Sequence, residues 1–84
     1  MSYTTHELKT WPEYFEALIA KRKKRKTFEI RENDRDYKVG DLLWLKEYDP
    51  KTKAYTGRET LRWVTYILDK APFVPKGYVV MSIN

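Results

Sequence analysis

Apolar residues recur with two different periods along this chain, and the change between them separates one helix from several strands. Trp11, Phe15, Leu18 and Ile19, with Tyr14 at the margin, fall at helical spacing, while Glu13 and Glu16 lie off that stripe. Thr10 with Glu13 three residues on, and Pro12 between them, reads as a capping box that starts this helix. From residue 27 the period becomes two, so Phe28 and Ile30 are expected to face a core while Thr27, Glu29 and Arg31 share the opposite face. Further strands are expected at 6–9, where Leu8 points inward, at 42–48, at 59–68 and at 78–83. In the 42–48 segment Leu43 and Leu45 alternate with Leu42 and Trp44, which predicts a strand partly buried on both faces. In the 59–68 segment Leu61, Trp63 and Ile67 are expected on one face and Val64, Tyr66 and Leu68 on the other.

Turn chemistry divides these elements. Asn33, Asp34, Arg35 and Asp36 form a polar turn, Val39-Gly40-Asp41 a second one, and a long exposed hairpin loop is expected from Asp49-Pro50 to Gly57-Arg58. Pro72 and Pro75 keep the 71–75 connection from extending a central strand. With 84 residues and neither a repeat nor a linker, the pattern predicts a single α+β domain over 1–84. A 42% share of hydrophobic residues and 15% of aromatic ones is too apolar for a disordered arm, despite 35% charge.

Charge changes the picture in one place. Lys21, Arg22, Lys23, Lys24, Arg25 and Lys26 form an unbroken run, and outside it eleven basic residues face twelve acidic ones. The positive excess is therefore local, as expected for one patch with one kind of partner. One or two cations would suit the negative end of a helix dipole; six in a row repel one another, which argues against a merely solvated helix end.

The spacing Lys26, Glu29, Arg31 resembles the G-x-K-x-x-E-x-R signature of ASCH domains, a branch of the PUA-like small β-barrels. The likeness runs on through His6-Glu7-Leu8-Lys9, Trp11-Pro12-Glu13-Tyr14-Phe15, Asn33-Asp34-Arg35-Asp36, Val39-Gly40-Asp41, Glu47-Tyr48-Asp49, Tyr55-Thr56-Gly57-Arg58 and Val64-Thr65-Tyr66-Ile67-Leu68 to Gly77-Tyr78-Val79-Val80. Nearly the whole chain is similar to a small ASCH-like subgroup common in bacteria and their phages. The resemblance implies a β-barrel of about five strands with one main helix packed on it. The signature glycine falls on Lys24, so the turn into the strand at Lys26 cannot use glycine's freedom at positive φ.

One histidine and no cysteine build no three-ligand metal site, and His6 reads as a polar residue at a strand start. Three glycines accommodate neither a Walker loop nor a dinucleotide fingerprint, so no cofactor is expected. No signal-peptide layout and no apolar run of spanning length occur, and the absence of cysteine fits a reducing compartment; a cytoplasmic protein without a membrane partner is the expectation. RNA, or a nucleotide-bearing ligand, is the expected partner of a monomer or weak homo-oligomer. The expected binding residues are Lys9, the run Lys21, Arg22, Lys23, Lys24, Arg25 and Lys26, and the strand residues Glu29 and Arg31. Arg31 would take phosphate as a fork and Glu29 accept a base or ribose donor. Against this stands an exposed Glu29–Arg31 ion pair of about 1 kcal/mol at most. Trp44, Trp63, Tyr55 and Tyr66 offer stacking surfaces, of which only those on the basic side count.

Two other readings stay open. Some ASCH-like proteins are amidohydrolases acting on acetylated cytidine, with a threonine nucleophile and a lysine base. The threonine of those enzymes falls on Glu29 here, so an enzyme would need Lys26, Thr27 and Glu29 in shifted roles. A protein-interaction factor of phage origin, docking an acidic host protein through the basic run, is the third.

Overall fold

The structure, a computed structural model, describes residues 2–84. Five strands and one α-helix follow in the order β1 (Thr5–Thr10), α1 (Pro12–Leu18), β2 (Phe28–Glu32), β3 (Leu42–Asp49), β4 (Ala54–Leu68) and β5 (Tyr78–Ile83), with a 3-10 turn at Arg22–Lys24 before β2. This is an α+β fold with a five-stranded mixed sheet in the spatial order β1-β3-β4-β5-β2. β1 runs parallel to β3, and the remaining pairs are antiparallel.

β4 is the spine. Its first part pairs with β3 and its second with β5, and the register shifts between Val64 and Tyr66. An extra residue there bends the strand and changes which side chains point inward. Val64 is buried and Ile67 packs against the core, whereas Leu61, Trp63 and Tyr66 are exposed. The expected strict alternation over 59–68 breaks at this bulge.

β4 also begins earlier than its apolar pattern suggests, at Ala54, so the hairpin loop is shorter than the expected 49–58 segment. The cause is a carboxylate. Glu47 is buried on β3, and the register shift between Lys46 and Tyr48 places Thr56 and Arg58 around it. Thr56 Oγ1 donates to Glu47 Oε1, and Arg58 donates through Nε and Nη2 at 2.9 Å each. These donors hold the Glu47 carboxyl below the usual glutamate range, and Arg58 reaches on to Glu16 of α1.

Leu8, Leu18, Tyr37, Leu43, Leu45, Val64, Val79, Met81 and Ile83 make the core between the sheet and α1. His6 at the start of β1 is buried and bonds Asp41 at 2.8 Å. Burial alone would raise the Asp41 carboxyl; His6 and the backbone N–H groups of Thr4 and Lys38 outweigh it and hold it low.

α1 is only seven residues long, and its buried side covers Phe15 and Leu18. Trp11, Tyr14 and Ile19 of the expected stripe stay on the surface, because two turns of helix cannot bury so wide an arc. The capping box does not form either. Trp11 is the N-cap without a side-chain bond, and Thr10 completes β1 with its hydroxyl turned toward Arg31.

The two edge strands β1 and β2 face one another without a backbone ladder between them among the described residues. Side chains fill the gap. Arg31 Nη2 donates to the Lys9 carbonyl at 3.1 Å, and Arg35 Nη1 to the Glu7 carbonyl at 2.9 Å. Each guanidinium occupies an acceptor that an exposed strand edge would otherwise offer to another chain.

Candidate functional site

β2 carries the site, in the opposite phase from that expected. Period two holds, but Glu29 is 3% exposed while Phe28 is 45% and Ile30 58% exposed. The register explains it. Glu29 pairs with Met81 and Arg31 with Val79, and directly opposed residues of an antiparallel pair share a face. Met81 and Val79 point into the core, so the polar face of β2 is the inner one and the apolar face is left outside.

A buried carboxylate requires counter-charges and hydrogen bonds, and both arrive from neighbours in the sequence. Lys26 Nζ donates to Glu29 Oε2, and Arg31 Nε donates to Oε1 at 3.0 Å. The flanking side chains are themselves largely covered, at 16% for Lys26 and 24% for Arg31. Arg31 continues to the Lys9 carbonyl and to Thr10 Oγ1 at 3.5 Å, which ties the triad to β1. The backbone fixes Lys26 as well, since its N–H donates to the Ala17 carbonyl at 2.8 Å and closes the end of α1.

These residues line a cleft of about 580 Å³ between the end of β1, α1 and β2, within the usual range of small-molecule sites. Lys26, Glu29, Arg31, Thr10 and Lys9 supply its polar groups. Trp11 and Tyr14 from α1 and Phe28 and Ile30 from β2 supply apolar surface. Trp11 and Tyr14 stack on each other, with ring centroids 6.4 Å apart and planes 25° from parallel. The Lys26 ammonium lies 5.0 Å from the Phe28 ring centre, in cation–π range.

The expected site residues divide into groups. Lys9, Lys26, Glu29 and Arg31 come together in the cleft; the Lys9 ammonium lies over the Tyr48 ring at 4.4 Å. Lys21, Arg22, Lys23, Lys24 and Arg25 are exposed on the segment that leads into it and do not line it. Arg25 Nε donates to the Ala20 carbonyl at 3.0 Å, which ties the basic run back to the turn that follows α1. The substitution at Lys24 costs no strain, because the 3-10 turn carries the chain with negative φ at Lys21 and Arg25, and Lys24 is not among the residues at positive φ. Thr27 is exposed, lies outside the cleft and makes no side-chain hydrogen bond among the described residues, while Lys26 is engaged by Glu29. Trp44, Trp63 and Tyr66 stand elsewhere on the sheet, and Tyr55 lines a second hollow with Arg35 and Tyr37. The aromatic groups on the basic side are Trp11, Tyr14 and Phe28; periodicity places Trp11 and Phe28 on core-facing stripes and Tyr14 at the margin of one. Their signal was the shortness of a helix that opens with Trp11-Pro12 and ends at a basic run.

A family model described as a domain of unknown function, DUF3850, matches residues 5–83. The chain belongs to this family. No curated protein matches it. The match takes in every element of the DUF3850 domain described above, including all residues of the cleft. No helix of this domain, among the described residues, is long and apolar enough to cross a membrane, and no group of three His, Cys, Asp or Glu side chains gathers as a metal site.

Proposed function

We propose that this DUF3850 domain binds RNA, or a nucleotide-bearing ligand, in the cleft between α1 and β2, with the basic run 21–25 taking phosphates alongside. The observation that carries this reading is the meeting of an exposed aromatic wall with a covered ion triad of net positive charge. Nucleic-acid bases need both features: a flat apolar surface to stack on and fixed polar groups at the edge of the ring. Five exposed cations on the segment that leads into the cleft add the electrostatic attraction that phosphates supply to any such complex. The spacing of Lys26, Glu29 and Arg31 adds the ASCH-like resemblance, and with it a PUA-like reading of the fold. The coiled sheet, whose edge strands face across Arg31 and Arg35, suits an open form of that barrel.

Trp11→Ala tests the stacking wall. Trp11 is 51% exposed and outside the core, so the variant should stay folded. It is expected to lose about 1–3 kcal/mol of affinity for single-stranded RNA in a calorimetric titration. Unchanged affinity would remove the wall from the interface.

A further inference from the structure

Donors outnumber acceptors in this cleft, and the imbalance specifies the ligand's edge. Glu29 Oε1 accepts from Arg31 and Oε2 from Lys26, and its side chain is only 4% exposed, so little of the carboxylate is left for a ligand. Lys26 brings three N–H donors and spends one on Glu29. Arg31 spends Nε on Glu29 and Nη2 on Glu29, the Lys9 carbonyl and Thr10, while Nη1 enters no hydrogen bond among the described residues. No buried side-chain nitrogen or oxygen lacks a partner there, so Nη1 is open to solvent or ligand. The pairing with Glu29 also orients the ammonium and the guanidinium, which makes them directed donors beside the Trp11–Tyr14 wall.

From this we infer that the cleft selects bases with a carbonyl at purine position 6 or pyrimidine position 4, guanine and uracil, over adenine and cytosine, which carry an amino group there. The inference rests on the nucleotide-binding reading of the same cleft. Guanine offers O6 and N7 as adjacent acceptors and uracil offers O4, and lysine or arginine facing the O6/N7 pair is the commonest specific contact to a base. Adenine and cytosine carry an exocyclic amino group at the corresponding position. That group would set a donor against donors, so the contact that guanine or uracil makes is lost and water must take its place.

The test is a titration of the whole protein with GMP, IMP, UMP, AMP and CMP at one salt concentration, alongside a mixed-sequence single-stranded RNA. IMP separates the 6-oxo group from the 2-amino group of guanine. GMP, IMP and UMP are expected to bind about tenfold or more tightly than AMP and CMP, the scale of a good paired contact to a base. Lys26→Met, which keeps Arg31 on Glu29, should shrink that ratio to about threefold or less. Equal affinities across the series, or tighter AMP or CMP, would overturn the selection and leave nucleotide binding standing. RNA binding without any mononucleotide binding would also overturn it and assign recognition to the basic run. Failure of RNA and mononucleotides alike would remove the reading beneath it.

Discussion

Glu29→Leu is expected to destabilise the protein by about 3 kcal/mol, measured by urea denaturation, even though leucine suits a position facing Met81. The loss comes from what the substitution leaves behind. Lys26 and Arg31 are mostly covered, at 16% and 24% exposure, and each has one carboxylate holding it in place. Without Glu29 these two cations stand close together with no counter-charge. Removing one partner of a covered ion pair commonly costs about 3–5 kcal/mol; the lower end applies because the cleft lets water reach both side chains. An exposed Glu29–Arg31 pair, the alternative to a binding role, would be worth about 1 kcal/mol at most, so the two accounts separate cleanly. Lys26→Met combined with Glu29→Leu should return part of the loss, since it removes one of the stranded charges. A change below about 1 kcal/mol for Glu29→Leu would show that the triad holds nothing together.

The basic run gives the largest expected effect on binding. Replacing Lys21, Arg22, Lys23, Lys24 and Arg25 with glutamine should lower the salt dependence of single-stranded RNA binding by about 0.7 units of slope per phosphate contact removed. Three such contacts would flatten a plot of log affinity against log salt by about 2 units. Stability should move by no more than about 0.5 kcal/mol, because all five side chains are exposed. Arg25 is the member with most to lose, through its bond to the Ala20 carbonyl. An unchanged slope between 50 and 200 mM salt would leave the run as a solvated helix end.

Much of this arrangement was legible from local pattern. The helix, the start of β2, the β3 alternation and the last strand all sit within a few residues of where periodicity places them. Glycine and proline marked the turns at Gly40 and at 71–75 for the same local reasons. The phase of β2 was not legible. Phe28 and Ile30 are the apolar residues of that strand, and a period of two does not say which side faces in; the pairing with β5 decides it. The K-x-x-E-x-R spacing contained the missing information, because a carboxylate flanked by two cations can be buried with its own counter-charges. The bulges of β4 were hidden for a similar reason. They go with Glu47 collecting Thr56 and Arg58, and with Thr65 bonding Ser82, cross-strand contacts that the alternation along a single strand does not carry. The cleft is half visible in the sequence: the K-x-x-E-x-R spacing marks Lys26 and Arg31, while the aromatic wall is hidden because a stripe of apolar residues does not reveal how short a helix will be.

The three indole N–H groups of Trp11, Trp44 and Trp63 give the most direct test of the cleft. Each should yield its own proton–nitrogen NMR signal, assignable by single Trp→Phe substitutions, and only Trp11 lines the site. Titration with GMP is predicted to shift the Trp11 indole signal progressively to saturation while those of Trp44 and Trp63, outside the cleft, stay in place. Movement of the Trp44 or Trp63 signal with Trp11 unchanged would put the ligand on the outer face of the β3–β4 pair and contradict the account.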